Sequence, residues 1–324
     1  QIPTFSMIWI DMLKDYYMYR GDENFIRKNL PAVRMVLQFF NQFQQKDGSL
    51  KNVPYWNFTD WVDDKGWSGG VAPISNDGTS AALDFQLLMA YQTAASLEKQ
   101  VGMQSFADVY LKQAAQLKQS IVTNYWSNSR KMFSDTKEKT SYSQHCNSLA
   151  ILTDVVTGSS SSVLAKKMIT DTGISKATVY FRYYLHRAMA KAGLGNQYLQ
   201  MLDKWKENLA MGLTTWAEMD DVSRSRSDCH AWGSSPNIEL YRIVLGIDSD
   251  APGFSKVKIE PHFGSLKNAS GFMPHPKGKI TVQYTQDANG KWKCSIQLPA
   301  TVTGVFIWNG MAHALHDGNN DFIL

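Results

Sequence analysis

A chain of 324 residues, 44% hydrophobic and 19% charged, has globular composition and room for one large or two moderate domains, which argues against disorder. Net charge is +4 with no dense Lys/Arg run, so neither a nucleic-acid nor a membrane-surface partner is called for, and no apolar run is long enough to span a bilayer. Three scattered cysteines, Cys146, Cys229 and Cys294, with no CxxC argue against a disulfide framework and a zinc knuckle, and no cofactor is expected.

From Phe5 to Tyr19 apolar residues recur at helical spacing, with Pro3 and Thr4 as start signals. Gly21-Asp22 reads as a stop followed by a cap, a short helix follows from Glu23, and Pro31 is placed to open the next helix, which ends at Asp47-Gly48. Residues 49–79 form a long loop rich in Trp, Asp and Gly, the kind that is usually functional or mobile. Helices are then expected over 79–101, 105–126, 141–156, 159–170, 176–192, 197–209 and 236–245. From Phe254 the period changes to two, with turns such as Asn289-Gly290. The expectation is a partial (α/α)6 toroid over residues 1–250 and a small antiparallel β-sandwich over 251–324. Six helical hairpins need about twelve helices. Because the sequence starts at Gln1 in mid-pattern, the remaining helices are expected upstream, and the chain reads as a processed product or a fragment.

Aromatics reach 12%, including 10 Trp, more than core packing needs; planar rings stack well on the C–H face of a pyranose. The stretch Leu213-Thr-Thr-Trp-Ala-Glu-Met-Asp-Asp221 sets Glu218 close to Trp216, with His230 and Trp232 following. Glu218 is the candidate catalytic acid or base, although a solvated loop acid would look the same. Asp220 and Asp221 suit a turn cap better. Asp60-Trp61 in the long loop can hold sugar hydroxyls and stack a ring, or Trp61 can plug the loop onto helix ends. His230 is either a hydroxyl partner or a structural histidine, and Trp9 alone reads as core. Asp228-Cys229-His230 is no metal site, since adjacent side chains do not converge on one ion. Asn57-Phe-Thr59 is a formal glycosylation sequon.

Taken together, the motifs resemble bacterial α-L-rhamnosidases of glycoside hydrolase family 78. The Gly-Asp turn in Tyr19-Arg-Gly-Asp22 is similar to one between that family's early helices. Thr59-Asp-Trp61 is similar to its G-D-W, and Thr214-Thr-Trp-Ala-Glu218 to its T-T-x-W-E. Ser227-Asp-Cys-His-Ala-Trp-Gly233 is similar to its S-x-N-H-Y-A-x-G, and Leu245-Gly-Ile…Pro252-Gly-Phe to its G-I-x-x-x-x-P-G-F. The resemblance implies an inverting hydrolase of terminal α-L-rhamnosides. In it Glu218 is the general base, Trp9, Asp60, Trp61 and His230 bind the sugar, and the general acid lies in an E-R-x-G-W-x-G-D segment upstream of Gln1. Thr59, Ala217 and Cys229 depart from the family pattern. The implied partners are a rhamnose-containing oligosaccharide or glycoside and the upstream part of the same polypeptide. Without that upstream acid, the chain alone is expected to lack normal hydrolytic activity. A periplasmic or secreted location suits the function, while the cysteine usage fits the cytoplasm equally. The alternatives are another (α/α)6 glycosidase of trehalase or glucoamylase type and a non-catalytic sugar-binding scaffold.

Overall fold

The computed structural model describes residues Gln1–Leu324. The chain divides into two compact units that interleave along the sequence. The first comprises Gln1–Asp15, Asp22–Leu194 and Ala217–Asp228; the second comprises Tyr16–Gly21, Gly195–Trp216 and Cys229–Leu324.

The helical unit is built on α1 (Pro3–Arg20, up to Asp15), α2 (Glu23–Asn41), α3 (Ala81–Val101), α4 (Gln104–Tyr125), α5 (Gln144–Leu152), α6 (Gly158–Thr170) and α7 (Arg182–Met189), with a two-strand ribbon of β1 (Trp126–Ser127) and β2 (Met132–Phe133) between α4 and α5. The helices alternate in character. In α5 every residue from Gln144 to Ile151 is buried, and α3 is buried on most of its surface. In α4 only a stripe such as Tyr110, Ala114, Leu117 and Ile121 is covered. A helix that is buried all round lies inside a layer, and a striped one lies on the outside. Two buried polar side chains on the inner helices tie loops and neighbouring elements to them. Asp84 of α3 accepts from Leu50 N at 2.7 Å and Tyr125 Oη at 2.8 Å, and Asn147 of α5 bridges Phe133 N and O. Such pairing offsets the cost of removing them from water.

Two expectations need correction. Pro31 does not open a new helix; it lies inside α2, which runs unbroken from its cap, Asp22, whose carboxylate accepts from Phe25 N. Buried Ile26, Leu30, Val33 and Leu37 form one continuous stripe on both sides of the proline, and this packing overrides the local break. The helix expected from Lys176 starts only at Arg182. Thr178 N and Val179 N donate to the side chains of Asp60 and Asp220 instead of to a helical ladder.

The second unit contains α8 (Asp203–Ala210), α9 (Ser235–Glu239) and two four-stranded sheets. One sheet has the order β10 (Gly318–Ile323), β7 (Trp292–Leu298), β6 (Gly278–Gln286), β5 (Asn268–His275), antiparallel throughout. The other has the order β3 (Ile247–Ser249), β4 (Lys256–Ile259), β8 (Thr303–Trp308), β9 (Met311–Leu315); its β4–β8 pair is parallel and its other two pairs are antiparallel. Alternate residues, Ile280, Val282 and Tyr284 on β6 and Cys294, Ile296 and Leu298 on β7, join Val257, Ile259 and Phe306 of the other sheet in one core cluster, as in a sandwich. Motif residues at the end of α1 serve packing. Tyr19 Oη donates to Asp248 Oδ1 at 2.8 Å, and a Cβ on Gly21 (φ +68°) would stand 2.8 Å from Gly253 Cα.

Candidate active site

Glu218 and Trp61, 157 positions apart, meet in the helical unit: Trp61 Nε1 donates to Glu218 Oε1 at 3.1 Å. Glu218 is 2% exposed, so the solvated-loop reading of this acid does not hold. Its backbone N–H donates to Ser227 O at 2.9 Å and to Ser225 Oγ at 3.2 Å, closing residues 218–227 into a loop. Within that loop Asp221 caps a 3₁₀ turn by accepting from Ser223 N, and the Ser223 side chain and backbone hold its carboxyl below the usual range. Asp220 instead accepts from Val179 N at 2.7 Å.

Trp61 rests on an aromatic cluster centred on Phe58, whose ring lies 5.0 Å from that of Trp61, 5.3 Å from Trp56, and 5.8 Å from both Phe5 and Tyr180. The long loop reaches this position because Gly70 O accepts from both Thr59 N and Asp60 N, while Gly70 has φ +79° and lies so close to Phe58 that a Cβ there would stand 2.4 Å from the ring. Trp67 is buried against His145, and the exposed Trp56 donates to Gly69 O. The sequon residue Asn57 is buried and donates to Val53 O.

Asp60, expected to hold sugar hydroxyls, has no exposed surface, and protein donors occupy both of its oxygens. Oδ1 accepts from Trp61 N at 3.0 Å and Thr178 Oγ1 at 2.5 Å; Oδ2 accepts from Thr178 N at 2.7 Å and faces His145 Nε2 at 2.7 Å. A carboxylate only accepts, so His145 is the donor through Nε2. Asp60 therefore acts here as an anchor for Trp61, through the indole residue's own backbone. Trp9 is half-buried on α1. His230 belongs to the second unit, where its N–H donates to Trp216 O at 2.9 Å and its ring lies 4.1 Å from that of Trp232.

Sequence reasoning missed three participants: Thr178, His145 and Arg226. Arg226 Nη2 lies 2.5 Å from Glu218 Oε1, and the Glu218 hydrogen bond and charge raise the guanidinium above its ordinary pKa. It sits in Ser223-Arg-Ser-Arg-Ser-Asp228, a run that reads as solvated loop. His145 carries a faint signal, falling just inside a helix capped by Ser143.

A sequence profile of the bacterial α-L-rhamnosidase six-hairpin glycosidase domain matches residues 1–244, and one of the bacterial α-L-rhamnosidase C-terminal domain matches residues 246–318. The chain belongs to the bacterial α-L-rhamnosidase six-hairpin glycosidase family. Solved rhamnosidases share its fold. The GH78 family rhamnosidase of Bacillus sp. GL1 superposes with TM-score 0.84 at 24% identity, over 96% of this chain and 34% of that one. The α-L-rhamnosidase from Dictyoglomus thermophilum gives TM-score 0.79 at 16% identity, over 100% of this chain and 39% of that one. That of Streptomyces avermitilis, solved with L-rhamnose, gives 0.77 at 15%, over 95% and 32%. The rhamnosidase-family chain thus spans about a third of the length of these proteins. A search of curated protein sequences finds no match.

Proposed function

We propose that Glu218 is the general base of an inverting glycoside hydrolase acting on terminal α-L-rhamnosides. It takes the proton from the water that attacks the anomeric carbon, while a second carboxyl protonates the leaving oxygen from the other side. The observation that carries this reading is a carboxylate only 2% exposed yet fixed at one oxygen by an indole N–H 3.1 Å away. A base withdrawn from bulk water and held by fixed donors pays little reorganisation when the reaction runs. The neighbouring acids Asp60, Asp220 and Asp221 each accept from a backbone N–H, while Glu218 Oε1 accepts from the side chains of Trp61 and Arg226.

In this reading Trp61 offers the indole against which the sugar's C–H face rests, Asp60 holds Trp61 in place, and Trp9 adds a second aromatic. His230 is proposed as a hydroxyl partner on the resemblance of Ser227–Gly233 alone. The general acid is assigned to sequence upstream of Gln1, in keeping with the share of each solved rhamnosidase that this chain spans. The proposed substrates are rhamnose-containing glycosides, and the proposed place of action is the periplasm or the exterior, with the cytoplasm as the alternative.

The test uses the longer polypeptide with an aryl α-L-rhamnoside, read by proton NMR in the first minutes of reaction. β-L-Rhamnose formed first, before mutarotation, is the expected result. First-formed α-L-rhamnose would mean retention and overturn the mechanism. Hydrolysis of an aryl α-glucoside in preference to the rhamnoside would overturn the substrate class, and rhamnose binding without turnover would mark a sugar-binding scaffold.

A further inference from the structure

The Glu218 side chain is 3% exposed, yet it touches a cation whose own side chain is 65% exposed. Arg226 Nη2 approaches the same oxygen that accepts from Trp61, and its guanidinium carbon stands 5.0 Å over the Trp61 ring centroid. One guanidinium thus meets both the proposed base and the aromatic proposed to receive the sugar.

The backbone fixes where this arginine starts from. Glu218 N donates to Ser225 Oγ and Ser227 O, and Ser225 Oγ in turn donates to Ser227 O at 2.7 Å. The residues on either side of Arg226 are therefore tied to the residue it contacts. Four acids of the two loops have partners of their own. On the long loop, Asp63 pairs with Arg224 at 2.7 Å, and Asp60 is held by Thr178 and His145. On the 217–228 segment, Asp221 caps its turn and Asp220 accepts from Val179 N.

A carboxylate withdrawn from water drifts toward its neutral form unless a cation and hydrogen bonds hold the charge. An indole N–H is a neutral donor, and a guanidinium on the same oxygen supplies a charge. The coupling is visible from the other side, since Glu218 raises the hold of Arg226 on its own proton. We propose that Arg226 is a positioning residue for Glu218: its guanidinium keeps the carboxylate ionised and holds Oε1 in register with the Trp61 indole, leaving proton abstraction to Glu218 itself. The proposal rests on Glu218 being the base.

The experiment titrates the Glu218 carboxyl by carbon-13 NMR in this chain with labelled glutamate, the Glu218 signal being assigned by its loss in Glu218→Gln. The Glu218 midpoint is expected to rise by about one pH unit in Arg226→Gln, and Arg226→Lys, which keeps the charge, to return most of the way to wild type. An unchanged midpoint in Arg226→Gln overturns the proposal. So does a rise of equal size in Arg226→Lys, because that would point to lost packing rather than lost charge. In the longer polypeptide the acid limb of kcat/KM is expected to move with the NMR midpoint. A shifted midpoint with an unmoved limb would leave the pair in place and overturn the base assignment on which its catalytic role depends.

Discussion

Asp60 and Glu218 are both buried carboxylates beside Trp61, and their partners give them different work. Four protein donors converge on Asp60, so its charge is spent on structure: Trp61 N, Thr178 N and Oγ1, and His145 Nε2. Asp60→Ala should leave the two Thr178 donors and the His145 ring N–H without an acceptor in a site closed to water. The expected cost is about 3 kcal/mol of stability, read as a lower urea midpoint, since each stranded buried donor costs about 1–3 kcal/mol. A midpoint within error of wild type would contradict the anchoring role. At this scale the sequence was only partly legible. Trp61 and Glu218 stood out because paired aromatics and acids make poor core and poor linker. Arg226 did not, because an arginine among serines has no periodicity or spacing that separates a partner from a solvated side chain. The commitment of Asp60 to Thr178 was equally hidden, for it links positions 118 residues apart.

At the level of the element, the helices of the helical unit hold the loops by buried polar pins. Asp84, in α3, ties Leu50 N at the start of the long loop to the Tyr125 hydroxyl at the end of α4. Burial raises its carboxyl from 3.8 to about 7, and burial raises Asp11 on α1 similarly, to about 7. Between about pH 4 and 7 the folded chain therefore keeps protons that the unfolded chain has released. The stabilisation is fully present below about pH 4 and is lost as pH rises through about 7. Asp84→Asn, which carries no titrating group, removes its share of that dependence. Urea midpoints at pH 5 and pH 8 should show a smaller drop in the variant than in wild type, and an equal drop would contradict the assignment. Periodicity located α3 and α4 to within a residue or two because their apolar stripes are long. It misplaced the start of α7, where side chains of Asp60 and Asp220 capture the backbone N–H groups of Thr178 and Val179, and it split α2 at Pro31 where core packing carries the helix through.

On the scale of the whole molecule, the switch from a helical period to a period of two near residue 254 was enough to read a helical domain followed by a β-sandwich. The five ordered motifs then identified the family. Some of those motifs hold the fold rather than the chemistry: Gly21 and Gly253 permit a close backbone approach, and Tyr19 binds Asp248. The strands β3, β5 and β10 escaped notice because Gly, Pro, Asn or Asp interrupt their alternation, and β9 because Met-Ala-His-Ala-Leu has few β-branched or aromatic residues. The interleaving of the two compact units was not readable either, since it depends on contacts rather than on local pattern.

Turnover of an aryl α-L-rhamnoside by a polypeptide that joins this chain to the proposed upstream segment and carries Glu218→Gln, measured beside its affinity for rhamnose, tests the base assignment most directly. The amide keeps the shape and a hydrogen-bonding oxygen but cannot take a proton. The predicted result is a fall in kcat of about 10³-fold with rhamnose affinity within a few-fold of wild type. Near-wild-type turnover would contradict the account.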